Sequence, residues 1–411
     1  MRHLTLLFLV LVFTQNISAQ ECDNQRYYEE IFTVNITADV LFGEAPQPTL
    51  SDPDNIQELF MDVYQPNGDT LSSRPLIIWA FGGAFVFGSK ESPDIVTLSS
   101  SFAQRGYVNA AIDYRLSTNE LLDPDSTAFY KATLKAQHDM LASIRYFYKD
   151  AATNNQFRID TTRIYIGGVS AGAITALQIA HYDELEEVPM AIDSIFQATG
   201  GFSGQSGNAG YSEDIAGVIS LSGFILDTAW ISPTVTTPIG SMHGTEDNIA
   251  PYGSDTITVL DINLEADGSS SIHYKLDQLG TQNDLYTFHG AGHTPFVSDA
   301  AYMDTTIQFV RDFLYDLVCD DLTAIEAAAP SSEPDISIYP NPTQGAFWVE
   351  HNLEGSRSLQ ILDQWGREAY AIADLSSGIH ELNLQLPPGM YLVRLFSKET
   401  GQTYTRKILI Q

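Results

Sequence analysis

Cysteine is almost missing from this chain: Cys22 and Cys319 are the only two in 411 residues. That excludes a small scaffold stapled by many disulfides, and no His or Cys pair stands at metal-ligand spacing, so neither a metal nor another cofactor is expected. Basic residues are scarce as well. Twenty Lys and Arg face 52 Asp and Glu, for a net charge of −32. A surface of that sign repels phosphate backbones and anionic bilayers, which excludes nucleic acid as a partner. Long apolar runs are absent beyond the first twenty residues, which excludes stable membrane insertion, and no internal repeat appears.

What is present fits a globular protein. The length suits one large domain and a small second one, and 44% hydrophobic residues supply a core. Met1-Arg2-His3, the apolar run Leu4 to Phe13 and Ile17-Ser18-Ala19 read as a signal peptide over 1–19. In an exported chain Cys22 and Cys319 are candidates for a disulfide closing a catalytic domain over 20–319; two unpaired thiols are the alternative.

The densest signal is Tyr165-Ile166-Gly167-Gly168-Val169-Ser170-Ala171-Gly172-Ala173. An apolar strand runs into G-x-S-x-G and a helix-forming run follows, the pattern of a nucleophile elbow. A serine at the tip of so tight a turn needs small neighbours, hence glycine at 168 and 172. Alone the pattern is weak, since about 0.1 to 0.2 matches arise by chance in a chain this long. Three further segments give it weight. Pro75 to Ala80 is a buried strand ending in Phe81-Gly82-Gly83-Ala84, a turn whose backbone N–H groups can face a substrate oxygen. The oxyanion hole is therefore expected from the amides of Gly83, Ala84 and Ala171. Ile239 to Met242 leads into His243-Gly244-Thr245-Glu246-Asp247, where Asp247 is the expected acid, Glu246 its local rival and His243 a residue that packs or hydrogen-bonds at the strand end. Tyr286 to His289 leads into Gly290-Ala291-Gly292-His293, where His293 is the expected general base and His289 the alternative.

The order Ser170, Asp247, His293 and these four segments resemble the α/β-hydrolase superfamily, within it the esterase/lipase and carboxylesterase group. The turn at 81–84 is similar to that group's H-G-G-G motif, with Phe81 in place of His and Ala84 in place of the third Gly. Asp113-Tyr114-Arg115-Leu116 and Asp160-Thr161-Thr162-Arg163-Ile164 add to the likeness, which covers about residues 30 to 318. It implies an α/β fold, a doubly wound and mostly parallel sheet, with antiparallel leading strands in 23–64. Strands are expected near 75–80, 107–113, 163–168, 215–221, 238–243 and 284–289, and helices near 92–105, 131–150, 171–182 and 299–317. Insertions at 117–130 and 183–214 are expected at the carboxyl edge of the sheet, where such folds bind ligands.

Residues 320–335 are acidic and rich in Ala, Pro and Ser, a linker. From 336 to 411 short alternating runs separated by turns predict an all-β sandwich. Tyr339-Pro340-Asn341-Pro342-Thr343-Gln344-Gly345, Asp363-Gln364-Trp365-Gly366 and Pro388-Gly389-Met390-Tyr391-Leu392-Val393-Arg394 resemble the C-terminal sorting domain of the type IX secretion system. That resemblance implies the secretion machinery as a partner and a secreted or surface-attached product; a carbohydrate- or surface-binding module is the alternative reading. The expected function is a serine carboxylesterase acting on a small or polymer-derived ester. An exopeptidase-like amide hydrolase and a non-catalytic module on a hydrolase scaffold are the rivals.

Overall fold

The computed structural model describes residues 22, 25–49, 51–117, 127–182, 188, 190–234, 236–259, 262–319, 336–339, 343, 345–351, 357–362, 368–396 and 403–410. The expected signal peptide and the linker at 320–335 lie outside them, as does most of the first insertion. The chain divides into two units, Met1–Ile325 and Glu326–Gln411.

The first unit opens with β1 (Thr33–Pro46) and β2 (Ile56–Asn67), an antiparallel pair. Then follow β3 (Arg74–Ala80), α1 (Pro93–Gln104), β4 (Val108–Ile112), α2 (Ala128–Ala152), β5 (Ile159–Val169), α3 (Ala171–His181), α4 (Asp193–Ala198), β6 (Gly217–Leu221), β7 (Phe224–Ile225) and β8 (Ile239–Gly244). The unit closes with β9 (Ser254–Val259), β10 (Ile262–Gly268), α5 (Ser269–Leu279), β11 (Asn283–Phe288) and α6 (Ala300–Cys319). Eight strands form one sheet in the order β1-β2-β4-β3-β5-β6-β8-β11. Pairs β1–β2 and β2–β4 are antiparallel; every pair from β4 to β11 is parallel. All six parallel strands therefore end on one edge, which is where Ser170, Asp247 and His293 are found.

The central strands are buried along their whole length. A strand covered on both faces must be apolar at successive positions, which is why Leu76-Ile77-Ile78-Trp79 shows no alternation. α1 packs beside α6 and α2 beside α3 to supply the cover. Cys22 and Cys319 form a disulfide with Cα atoms 5.8 Å apart, tying the segment before β1 to the last turn of α6.

The insertion at 183–214 starts after α3 has returned from Ser170, and its described part reaches the carboxyl edge of the sheet as expected, where Ser206 Oγ accepts from Arg115 Nη2 at 3.1 Å just beyond β4. Its described part packs along α2 and the end of β1, with Gly201 O accepting from His138 Nε2 at 2.7 Å and Asn208 Nδ2 donating to Phe42 O at 2.6 Å. It walls a cavity of about 550 Å³ lined by Pro46, Arg115, Leu134, Ile195 and Ser206, and no expected catalytic residue lines it. One part differs from the sequence expectation: the β9–β10 hairpin with α5 behind it lies in a Ser- and Asp-rich stretch for which the sequence predicts no element.

The second unit is all β: β12 (Ile336–Tyr339), β13 (Ala346–His351), β14 (Arg357–Leu362), β15 (Glu368–Leu375), β16 (Gly378–Asn383), β17 (Gly389–Phe396) and β18 (Thr403–Ile410). They form two antiparallel sheets, β12-β13-β16 and β15-β14-β17-β18. Phe347 and Val349 from one sheet meet Leu359, Ile361, Val393 and Leu395 from the other in a single core, which makes the unit a sandwich. The turn at 363–366 lies outside the described residues.

Candidate active site

Ser170 sits between the last residue of β5 and the first of α3, with φ +52°. A non-glycine residue in that region costs on the order of 1–3 kcal/mol and persists only where its surroundings hold it. Here the Ser170 N–H donates to Leu221 O at 2.8 Å on the neighbouring strand. The flanking glycines are a packing necessity. A Cβ on Gly172 would stand 2.1 Å from Ala80 O, and one on Gly168 would stand 2.5 Å from the same oxygen. β3 and the start of α3 thus approach backbone to backbone around the serine.

The turn after β3 lies against it. A Cβ on Gly82 would come within 3.4 Å of the Ser170 Cβ. Gly83, Ala84 and Phe85 all have positive φ, at +129°, +51° and +63°. Val86 N–H donates back to Gly83 O at 2.9 Å, and Ser117 N–H donates to Phe85 O at 2.7 Å. The Phe81 ring stacks on Tyr114 with centroids 4.2 Å apart, and Tyr114 O–H donates to Phe81 O at 2.9 Å. The aromatic pair fixes the start of the turn where the similar motif carries histidine. Among the described residues no backbone hydrogen bond engages the N–H of Gly83, Ala84 or Ala171. Ala171 is also the first residue of α3, where the helix presents unsatisfied amides and a positive dipole end.

Asp247 and His293 come from the loops after β8 and β11, adjacent parallel strands. Three backbone and side-chain features bind these loops together. Gly244 permits close approach, since a Cβ there would stand 2.3 Å from Ala291 O. Thr245 Oγ1 accepts from Gly290 N–H at 2.9 Å, and Glu246 N–H donates to Ala291 O at 2.9 Å. The result is one continuous line. Ser170 Oγ lies 2.9 Å from His293 Nε2, and His293 Nδ1 lies 2.6 Å from Asp247 Oδ2. The Asp247 side chain is fully buried, and its other oxygen accepts from Ile249 N–H and Ala250 N–H, both at 2.9 Å. Burial works against the carboxylate charge, but hydrogen bonds from His243 and His293 outweigh it and hold Asp247 well below the usual range. An ionised Asp247 requires the proton of His293 to sit on Nδ1, which leaves Nε2 as acceptor for the serine hydroxyl.

Glu246 and His289, the local rivals, are both exposed, and neither takes part in this line. His243 hydrogen-bonds at the end of β8, as expected, to Ser269 and Ala250. It is fully buried, and its Nε2 lies 3.2 Å from Asp247 Oδ2. The H-G-T-x-D run contained this information: His243, Gly244 and Thr245 each serve the placement of Asp247 and the His293 loop. Ser269, which meets His243 Nδ1 at 2.9 Å, gave no signal because it belongs to an element the sequence did not reveal. Among the described residues no group of His, Cys, Asp or Glu is placed to hold a metal ion, and no helix is long and apolar enough to cross a membrane.

Comparison with known proteins finds likenesses in both units. Residues 61–224 match the family model BD-FAE, and residues 337–411 match the model of the secretion system C-terminal sorting domain. Lipase 1 of Geotrichum candidum is 28% identical over 135 residues, 30% of this chain and 21% of the lipase, so the chain spans about a fifth of that curated relative. A propionate-bound esterase of the planctomycete Thermogutta terrifontis superposes with a TM-score of 0.47 at 18% identity, covering 75% of this chain and all of the esterase. A truncated carbohydrate esterase from gut microbiota gives 0.44 at 17% identity over 71% of this chain and 98% of its own. Residues 61–224 are thus similar to the BD-FAE family on a doubly wound α/β fold, and residues 337–411 are similar to a secretion-system sorting domain, which indicates outer-membrane secretion or surface attachment.

Proposed function

We propose that this chain is a secreted serine carboxylesterase in which Ser170, His293 and Asp247 are the catalytic triad. The observation that carries the reading is the unbroken hydrogen-bonded line from Ser170 Oγ to the buried Asp247, ending beneath a turn with unengaged amides. The BD-FAE match over 61–224 and the similarity to a fungal lipase support ester bonds over amides. Ser170 Oγ attacks the ester carbonyl as its proton passes to His293 Nε2. The N–H groups of Gly83, Ala84 and Ala171 hold the oxyanion. The imidazolium, stabilised by Asp247, then protonates the leaving alkoxide, and water repeats the sequence on the acyl-enzyme. The chemistry calls on no metal or cofactor. Ala84 carries a methyl where the similar motif has glycine, and that methyl narrows the space at the turn and favours short acyl groups. Residues 337–411 engage the secretion machinery.

The test is hydrolysis of p-nitrophenyl acetate, butyrate, octanoate and palmitate by the catalytic unit beside Ser170→Ala. Turnover of the acetate and butyrate is expected, with a loss of about 10³-fold or more in the variant. Folded protein that hydrolyses none of the four would overturn the esterase reading in favour of amide substrates. Equal rates in the two proteins would remove Ser170 from the mechanism.

A further inference from the structure

Asp247 is shared by two histidines, and only one of them faces the serine. His243, on the last turnless stretch of β8, offers Nε2 to Asp247 Oδ2 at 3.2 Å and to Ala250 O at 3.0 Å. Ala250 O can only accept, so Nε2 carries the proton. Nδ1 is then the acceptor, and it lies 2.9 Å from Ser269 Oγ at the start of α5, whose hydroxyl donates. The groups that face His243 from neighbouring elements are few. They are Asp247 from the loop after β8, Ser269 from α5 and the Tyr252 ring, edge-on at 5.8 Å; His293 stands beyond Asp247 on the far side of the shared oxygen.

Resting on the esterase reading, we infer that His243 is a positioning residue for the triad: locked as its Nε2–H tautomer by Ser269 and Ala250, it holds Asp247 Oδ2 and tempers its pull on His293. The geometry gives the reason. Oδ1 is already fixed by two backbone amides, while Oδ2 is the oxygen that accepts from His293. The His243 N–H, bonded to Ala250 O and 3.2 Å from Oδ2, sets a second positive edge beside the carboxylate that holds its plane and shares its charge. Without it the charge is concentrated on His293, whose protonated form becomes more favourable, so the imidazole stays charged, and unable to act as a base, up to a higher pH. A histidine that merely filled space would need neither the Ser269 nor the Ala250 contact beside Oδ2.

The experiment follows the rate at which a fluorophosphonate labels Ser170 as a function of pH in the wild type, His243→Leu and His243→Gln. Labelling needs the nucleophile and its base but no ester. Leucine removes the donor; glutamine keeps an N–H near the Nε2 position. The leucine variant is expected to label about tenfold more slowly at pH 7, with its acid limb moved up by about half a pH unit or more. The glutamine variant is expected within about threefold of wild type with its limb in place. A leucine variant that labels like the wild type overturns the inference, as does an equal slowing of both variants with unmoved limbs. If the leucine variant does not fold, the tautomer decides: ¹⁵N shifts of histidine-labelled wild type should show His243 protonated at Nε2, and protonation at Nδ1 overturns the inference. Wild type that labels at Ser170 yet cleaves no ester sinks the esterase reading alone, and the pH profiles still judge His243.

Discussion

Near the reaction centre Ala84, Phe85 and Ser170 are among the residues that hold positive φ, a conformation that glycine would occupy at no cost. For Ser170 the side chain is the nucleophile, so the strain is retained with it. Phe85 is buried and packs edge-on against Tyr114 and Phe129, which offsets its conformation. Ala84 has only a methyl group to show for its φ of +51°. Ala84→Gly is therefore expected to stabilise the protein by about 1 kcal/mol, the left-handed penalty less the added freedom of the unfolded chain. Removing the methyl should also raise kcat/KM for octanoate relative to butyrate. Urea midpoints and the octanoate-to-butyrate ratio read the two effects separately. A loss of stability would mean that the methyl makes contacts worth more than its strain, and an unchanged ratio would place the acyl chain elsewhere.

At the level of elements, the parts that read clearly from the sequence are those where one constraint dominates. The central strands are covered on both faces, and Leu76 to Trp79 or Ile164 to Ile166 show it as unbroken apolar runs. The glycines of the elbow read because backbone crowding leaves no other choice. The β9–β10 hairpin and α5 were illegible because Ser254, Asp255, Gly268, Ser269, Ser270 and Ser271 carry turn chemistry, although Ser254 and Ser269 spend it on tertiary hydrogen bonds. The insertion at 183–214 reads as a loop from composition and meets the carboxyl edge beside Pro46 and Arg115, while its path there after the return of α3 is set by tertiary contacts that composition does not record. Cys22–Cys319 joins the first described residue to the end of α6, across 297 residues. In the chain-entropy model a loop of that length stabilises by on the order of 5 kcal/mol, and measured effects are commonly smaller. Reduction, or the pair Cys22→Ala and Cys319→Ala, should lower the urea midpoint of the first unit and raise its m-value, because the uncrosslinked denatured chain exposes more surface. An unchanged midpoint would show that the segment before β1 is held by other contacts, such as the Arg26–Asp69 ion pair at 2.7 Å.

At the scale of the whole molecule, the net charge of −32 sets a balance that histidines tip. His138, His181 and His273 are buried, and burial pushes each down to about 4. Their polar contacts are sparse. His138 donates to Gly201 O and His273 to Asn283 Oδ1, whereas neither ring nitrogen of His181 has a partner among the described residues. Each imidazole is thus neutral when folded and has an ordinary value near 6.5 when unfolded. Between those two values the unfolded chain binds more protons, so stability is complete above pH ~6.5 and falls as the pH drops toward ~4. A full shift corresponds to about 3 kcal/mol per group at most, enough for three of them to rival the total stability of an ordinary domain. Acid also acts the other way. Protonating carboxylates relieves the self-repulsion of so negative a surface, and Asp94 and Asp113 are raised by burial, so their protonation favours the folded state. Those carboxylate effects gather nearer pH 4, while the histidines begin to act near 6.5. The melting temperature should consequently fall between pH 6.5 and 5, before the surface carboxylates titrate, and calorimetry at half-unit steps checks it. A melting temperature that is flat or rising over that interval would mean that the three histidines charge within the folded protein. Replacement of the one lacking partners, His181→Leu, should flatten the fall by about a third if each contributes alike.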